Sequence, residues 1–188
     1  MHRDNLPDEP TLAGLPVVPF EDIAGSHPPG EHQMFVAVGY RRVNQVRAEI
    51  CGQARELGYE LLTYINSRAT HWGDTQIGDN CFIFEDNTIQ PFVTIGDGVV
   101  LWSGNHIGHH SSIGDYCFVT SHVVISGFTK IGAYSFLGVN STFRDDITVG
   151  RSNVIGAGAV IMKATEDDEV YITQRTKPSG RKSHDIGM

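Results

Sequence analysis

The chain has 188 residues, enough to bury a core as one domain or two small ones. Its composition is that of an ordinary soluble protein, apart from 21 glycines. A formal net charge of −8 argues against nucleic acid and anionic membranes as main partners, but leaves room for a small anionic ligand on a local basic patch.

The N-terminus, Met1 to Pro10, is polar and acidic, unlike a signal peptide, and no apolar stretch is long enough to span a bilayer. Cys51, Cys81 and Cys117 lie far apart and form no CxxC pair. They read as buried free thiols of a cytoplasmic protein.

Residues 1–70 read as a small α/β N-terminal domain. Leu15–Phe20 is a short apolar run broken by prolines, and Met34–Val38 is a compact apolar strand. Arg41–Leu57 places Val43, Val46, Ile50, Ala54 and Leu57 at helical spacing, with Gly58 as a stop. Tyr59–Ile65 reads as a second strand, so Met34–Ile65 predicts a β-α-β unit. It carries neither GxGxxG nor GxxxxGK[ST], and no dinucleotide or P-loop role is assigned to it.

Residues 71–163 carry a repeat. Every sixth residue from Ile77 to Ile161 is apolar, without an insertion or deletion. At an apolar content of 40%, chance would give such a run with odds of roughly one in a million at a fixed phase. A six-residue period fits neither a helix nor a simple strand; it marks a stacked β-solenoid in which each hexad is one side of a coil. The apolar residue i points inward, as does residue i−2, which should be small. Thr75, Cys81, Val93, Val99, Ser111, Cys117, Val123, Thr129, Ser135, Ser141 and Ala159 fit. Asn87, Asn105 and Asn153 fit if their amides stack in ladders, and Ile147 is a misfit. Glycine follows the apolar residue at Gly78, Gly96, Gly108, Gly114, Gly132, Gly138, Gly150 and Gly156, where it would allow a tight corner. Three hexads per coil give about five coils, stacked about 4.8 Å apart in a prism roughly 20–25 Å tall.

Residues 164–188 leave the repeat as a C-terminal tail. An acidic run, Glu166-Asp167-Asp168-Glu169, precedes a basic stretch with Arg175, Lys177, Arg181 and Lys182. A solvated, disordered tail is expected.

Repeats of the form [Ile/Leu/Val]-Gly-x-x-[small]-x, from Gln76-Ile77-Gly78-Asp79 to Val154-Ile155-Gly156-Ala157-Gly158-Ala159-Val160-Ile161, resemble the hexapeptide-repeat acyltransferases. The stretch Asn105-His106-Ile107-Gly108-His109-His110-Ser111-Ser112-Ile113-Gly114-Asp115-Tyr116-Cys117 narrows the resemblance to the sialic-acid O-acetyltransferase and nucleotide-aminosugar N-acetyltransferase branch. The resemblance implies a mainly β chain, a left-handed parallel β-helix preceded by a truncated α/β domain. It implies acetyl transfer from acetyl-CoA to an amino or hydroxyl group of a sugar or nucleotide sugar, with no metal. It also implies a homotrimer with sites between subunits. Two departures stand out. The first strand and glycine-rich turn usual in the α/β domain are absent, and Gln174-Arg175-Thr176-Lys177-Pro178 replaces the usual Gly-x-Pro-Ala-Lys-like ending.

Four of nine histidines fall at 106, 109, 110 and 122. His109 takes the corner position i+2. The resemblance makes it the general base, and the chemistry needs one with a pKa near 7, because an amine or hydroxyl must lose a proton as it attacks a thioester. Gly127 lies 18 residues further, one coil on, so it should stack about 4.8 Å above His109 and offer its N–H to the thioester carbonyl. An acidic residue commonly follows the catalytic histidine; here it is His110. Either His110 orients His109, or Asp115 or a neighbouring subunit supplies a carboxylate. Asn105 and His106 lie just before the corner as acceptor-binding candidates. His122 lies on another edge and could join the site across a subunit interface. Gly127, Gly138, Gly156 and Ala157 are candidates for the pantetheine wall, and Lys163 and Arg151 for the coenzyme A phosphates.

Two other readings compete with this one. The first is a non-catalytic or inactive β-helix homologue. The second is a γ-type carbonic-anhydrase-like metalloenzyme, which needs zinc histidines five residues apart; within the cluster the spacings are 3, 1 and 12.

Overall fold

The computed structural model describes residues 11–186. It opens with a hairpin, β1 (Thr11–Leu12) antiparallel to β2 (Leu15–Pro16), then a 3-10 turn at Phe20–Asp22 and a single helical turn, α1 (Ile23–Ser26). After α2 (Gln45–Glu56) come eighteen two-residue strands, from β3 (Tyr64–Ile65) to β20 (Val170–Tyr171). They recur every six residues up to β19 (Val160–Ile161) and build a parallel β-solenoid with three faces. The first face has seven strands, the second six and the third five, which makes six coils.

The hexad register governs the stacking. Ile107 pairs with Ile89 below and Ile125 above, steps of eighteen residues. Each apolar residue therefore lands on its equivalent, and the series Ile83 to Ile161 is buried in one column-lined core. The sixth coil corrects the expected count of five. Ile65 keeps the hexad phase, but the next position is the exposed His71, which hides the first coil. At the other end Val154 pairs with Val170, a step of sixteen residues, so β20 escapes the period.

From Cys81 onward the i−2 positions are buried, and several of their small polar side chains have a task, although the Ser141 hydroxyl has no partner among the described residues. Ser111 Oγ donates to Ser126 O at 3.0 Å, Cys117 Sγ to Gly132 O at 3.2 Å and Ser135 Oγ to Gly150 O at 3.2 Å. Each satisfies a turn carbonyl, the last of them shared with Asn153 Nδ2 at 2.9 Å. Burial pushes the Cys81 and Cys117 thiols up to about 12 and Cys51 up to about 11, so none is poised as a nucleophile. Asn87 and Asn105 form the expected ladder: Asn105 N–H donates to Asn87 Oδ1, and Val123 N–H to Asn105 Oδ1. Ile147 is buried with the rest of the core, so it is no misfit.

The glycines at i+1 serve a different purpose from the one expected. None has a positive φ; the left-handed residue of each turn is i+3, as at Asn80, His110, Tyr116 and Asn140. A Cβ at Gly114 would lie 2.6 Å from Ala133 N, and one at Gly108 would lie 2.5 Å from Gly127 N. Glycine is required because the next coil's backbone passes directly over it.

The expected α/β domain is a strap rather than a sheet. α2 forms, but three left-handed residues, Arg42, Val43 and Asn44, delay its start to Gln45. The strand pair shrinks to one parallel bridge, Met34 with Leu61, while Tyr64–Ile65 joins the first face. The solenoid supplies what the missing strand would have: Asn80 Oδ1 accepts Val36 N–H at 2.7 Å, and Asn80 Nδ2 donates to Val36 O. Tyr40 packs its ring on Phe118 and Phe136 of the first face. Of the tail, Val170–Tyr171 docks as β20, and the basic residues beyond it are exposed. Among the described residues no helix is long and apolar enough to cross a membrane.

Candidate active site

Three edges join the faces, and the chemistry-bearing residues divide among them. Between β10 (His106–Ile107) on the second face and β11 (Ser112–Ile113) on the third, the chain turns at His109 and His110. Both side chains are exposed there, because residues i+2 and i+3 of a hexad project from the edge. The His109 backbone N–H is held by Gln90 Oε1 at 2.9 Å, which fixes the turn on the coil below.

His109 and Gly127 meet as the register requires. A Cβ on Gly127 would lie 2.8 Å from His109 Cε1 and 2.9 Å from Nε2, so the imidazole occupies the space a side chain would fill. The Gly127 N–H has no hydrogen-bond partner among the described residues. A ring nitrogen and a free backbone donor thus stand together on one exposed edge, a pairing suited to proton abstraction beside a developing oxyanion.

His110 also joins this group. Its Nδ1 lies 3.1 Å from His109 Nδ1. Phe128 stacks on His110 with centroids 4.8 Å apart and interplanar angle 15°, and meets His109 edge-on at 5.0 Å. Phe92 covers the other side of His110 at 4.6 Å. Sequence reasoning misses Phe92, Phe128 and Gln90. A signal exists for the two rings, since 92, 110 and 128 differ by one coil each.

The remaining candidates fall elsewhere. Asn105 is 1% exposed, and its amide is spent on Trp102 O and Val123 N–H, so it has nothing to offer an acceptor; it is a coil ladder residue. His106 lies on the second face in register with Thr88 and Val124, on the strand that enters the corner rather than on the turn itself. Asp115 cannot orient His109 within one chain. It sits on the edge between third and first faces, where its Oδ1 accepts Asp97 N–H at 2.9 Å. Arg151 lies on that same edge over Tyr134. His122, Gly138, Gly156 and Ala157 all belong to the edge between first and second faces, where the His122 ring lies over Gly104. Lys163 shares the edge of His109, three coils or about 14 Å further along. One chain therefore brings together His109, His110 and Gly127, and holds the pantetheine candidates across the width of a face.

Between residues 35–40 and the first face runs an apolar groove of about 300 Å³, lined by Phe35, Tyr40, Phe82, Trp102 and Phe118. Among the described residues no group of three or more His, Cys, Asp or Glu is placed to hold a metal ion.

Residues 74–109 and 93–127 match the family described as bacterial transferase hexapeptide (six repeats). The acetyltransferase domain of PglB from Neisseria gonorrhoeae FA1090 has a TM-score of 0.78 at 27% identity, over 85% of this chain and 77% of that one. The same domain is known in complex with acetyl coenzyme A. A variant of perosamine N-acetyltransferase from Caulobacter crescentus, solved with CoA and GDP-perosamine, has a TM-score of 0.80 at 25% identity, over 86% of this chain and 77% of that one. WeeI from Acinetobacter baumannii AYE, 17% identical, shares the fold with a TM-score of 0.53 over 85% of this chain and 76% of that one. No curated relative matches the sequence.

Proposed function

We propose that this chain, a solenoid of bacterial-transferase hexapeptide repeats, moves an acetyl group from acetyl-CoA to the amino group of a nucleotide-linked sugar. The observation that carries the reading is the His109 imidazole lying against Gly127, whose N–H is unpaired. In the reaction the acceptor amine attacks the thioester carbonyl while His109 Nε2 takes its proton. The Gly127 N–H stabilises the negative oxygen of the tetrahedral intermediate. Collapse breaks the C–S bond, and the proton held by His109 passes to the departing thiolate. The two similar solved proteins of 25% identity or more are acetyltransferases, one with acetyl-CoA bound and one with CoA and a sugar nucleotide.

The split between edges supports a homotrimer. Stacking the edge of His122, Gly138, Gly156 and Ala157 against the edge of His109 on a neighbouring copy forms one cleft, with small residues lining the pantetheine arm and Lys163 near its phosphates. The groove under Tyr40 offers aromatic faces to a nucleotide base. The experiment is incubation with acetyl-CoA and a panel of nucleotide-linked amino sugars, following thiol release. Turnover with one of them, and none with free serine, is expected; silence across the panel removes the reading.

Gly127→Ala provides a sharper check. The added methyl would occupy the His109 ring position while leaving the backbone N–H in place. We expect kcat to fall about 100-fold, with the melting temperature changed by only about 2 °C, since Gly127 lies on an edge outside the core. An alanine variant with wild-type kcat would show that His109 need not lie there.

A further inference from the structure

We propose that Phe92 and Phe128 are positioning residues that fix the plane of His110 so that its Nδ1 accepts a hydrogen bond from His109, and one histidine orients another where a carboxylate would ordinarily serve. This deepens the proposed function and rests on it for the role of His109.

Two ring nitrogens 3.1 Å apart share one proton. For Nε2 of His109 to act as base it must carry a free lone pair, so the shared proton sits on His109 Nδ1. His110 Nδ1 is then the acceptor, and His110 is the neutral Nε2–H tautomer. A carboxylate accepts through two oxygens over a wide range of directions. An imidazole accepts through one nitrogen in the ring plane, and a half-turn about its last torsion replaces that nitrogen with a C–H. The substitution of histidine at 110 therefore works only if its plane is fixed.

The two phenylalanines fix it. They lie one coil below and one coil above His110, with centroids at 4.6 and 4.8 Å. They are 60% and 50% exposed, so core packing does not explain them. All three residues hold the left-handed backbone, φ 63°, 59° and 58°, a conformation that is strained for a bulky side chain.

The same rings set His110 apart from the carboxylates of its edge. The column on this edge reads Asp74, Phe92, His110, Phe128, Asp146, each eighteen residues from the next. Asp74 is occupied with Phe92 N–H, and Asp145, beside Asp146, faces Arg144. Each ring thus lies between His110 and a carboxylate of the column, and His109 Nδ1 is its polar partner.

The test is a double-mutant cycle. Phe92→Leu together with Phe128→Leu should lower kcat about tenfold with the KM for acetyl-CoA unchanged. Made in a His110→Glu background, where the orienting group needs no fixed plane, the same pair should cost roughly twofold or less. Equal losses in the two backgrounds overturn the proposal. The side-chain 15N spectrum of histidine-labelled protein separates it from the function. Wild type should show two fixed, opposite tautomers for His109 and His110, and the leucine pair should show averaged ones. Fixed tautomers surviving in the leucine pair refute the clamp. Fixed tautomers that need the rings, in a protein that transfers no acetyl group, leave the clamp standing and remove the function.

Discussion

Under the proposed function, replacing His109 with asparagine should lower kcat/KM for acetyl transfer by about a thousandfold and leave the fold intact. A positioned general base contributes about 10²–10⁴-fold, and asparagine can hydrogen-bond but cannot take a proton at neutral pH. The fold is spared because the His109 side chain is exposed and contributes nothing to the solenoid core. What holds the turn is the backbone N–H to Gln90 Oε1 and the His109 carbonyl accepting Phe128 N–H at 2.9 Å, and asparagine keeps both. A residual rate above the uncatalysed reaction should remain, since Gly127 would still stabilise the oxyanion and the bound substrates would still be aligned. Thiol release measured beside a calorimetric melt checks both halves of the statement. Activity within threefold of wild type would mean that the proton leaves by another route, with His110 the next residue to replace.

The pairing of His109 with Gly127 is legible in the sequence because the solenoid converts sequence distance into height. A strict period of eighteen residues per coil places 127 over 109 whatever the side chains are. The same arithmetic fails wherever the chain departs from the period. His71 interrupts the apolar series while the backbone goes on coiling, and the step from Val154 to Val170 skips two residues. The period also does not say which groups remain free beside a corner. Asn105 stands two residues before an apolar position, next to the turn, yet it faces inward, and its amide is consumed by the coil above and its own turn. The glycines at i+1 suggest a special backbone conformation, whereas the constraint is the adjacent coil's backbone within 2.8 Å of a would-be Cβ, an inter-coil distance that local pattern does not encode. Phe92 and Phe128 stand in the left-handed column where Asn and Gly are ordinary; their oddity shows only when the backbone of that column is known.

The N-terminal segment is the least legible part, and the second large effect is expected there. Arg47→Met should destabilise the strap by about 3–5 kcal/mol while the solenoid stays folded. Arg47 is 1% exposed and spends all five of its N–H donors on carbonyls. Nε reaches Gly98 O, Nη1 reaches Val38 O and Gly39 O, and Nη2 reaches Tyr116 O and Cys117 O. No carboxylate among the described residues pairs with it; carbonyl dipoles from the strap and from two coils balance the charge instead, and burial lowers its pKa. Methionine fills much of the volume but leaves those carbonyls facing an apolar chain, each at a cost of about 1 kcal/mol or more. Lysine has three donors and no planar fork, so Arg47→Lys should fail nearly as badly. The solenoid is spared because its coils stack on one another and bury their own core. Hydrogen exchange should therefore show α2 amides losing protection while the strands keep theirs. Loss of the strap removes Phe35 and Tyr40 from the groove on the first face, so under the proposed function the KM for the sugar nucleotide rises and that for acetyl-CoA does not. Protection of α2 unchanged in Arg47→Met would mean that the Asn80 amide pair and the ring contacts of Tyr40 hold the strap without it.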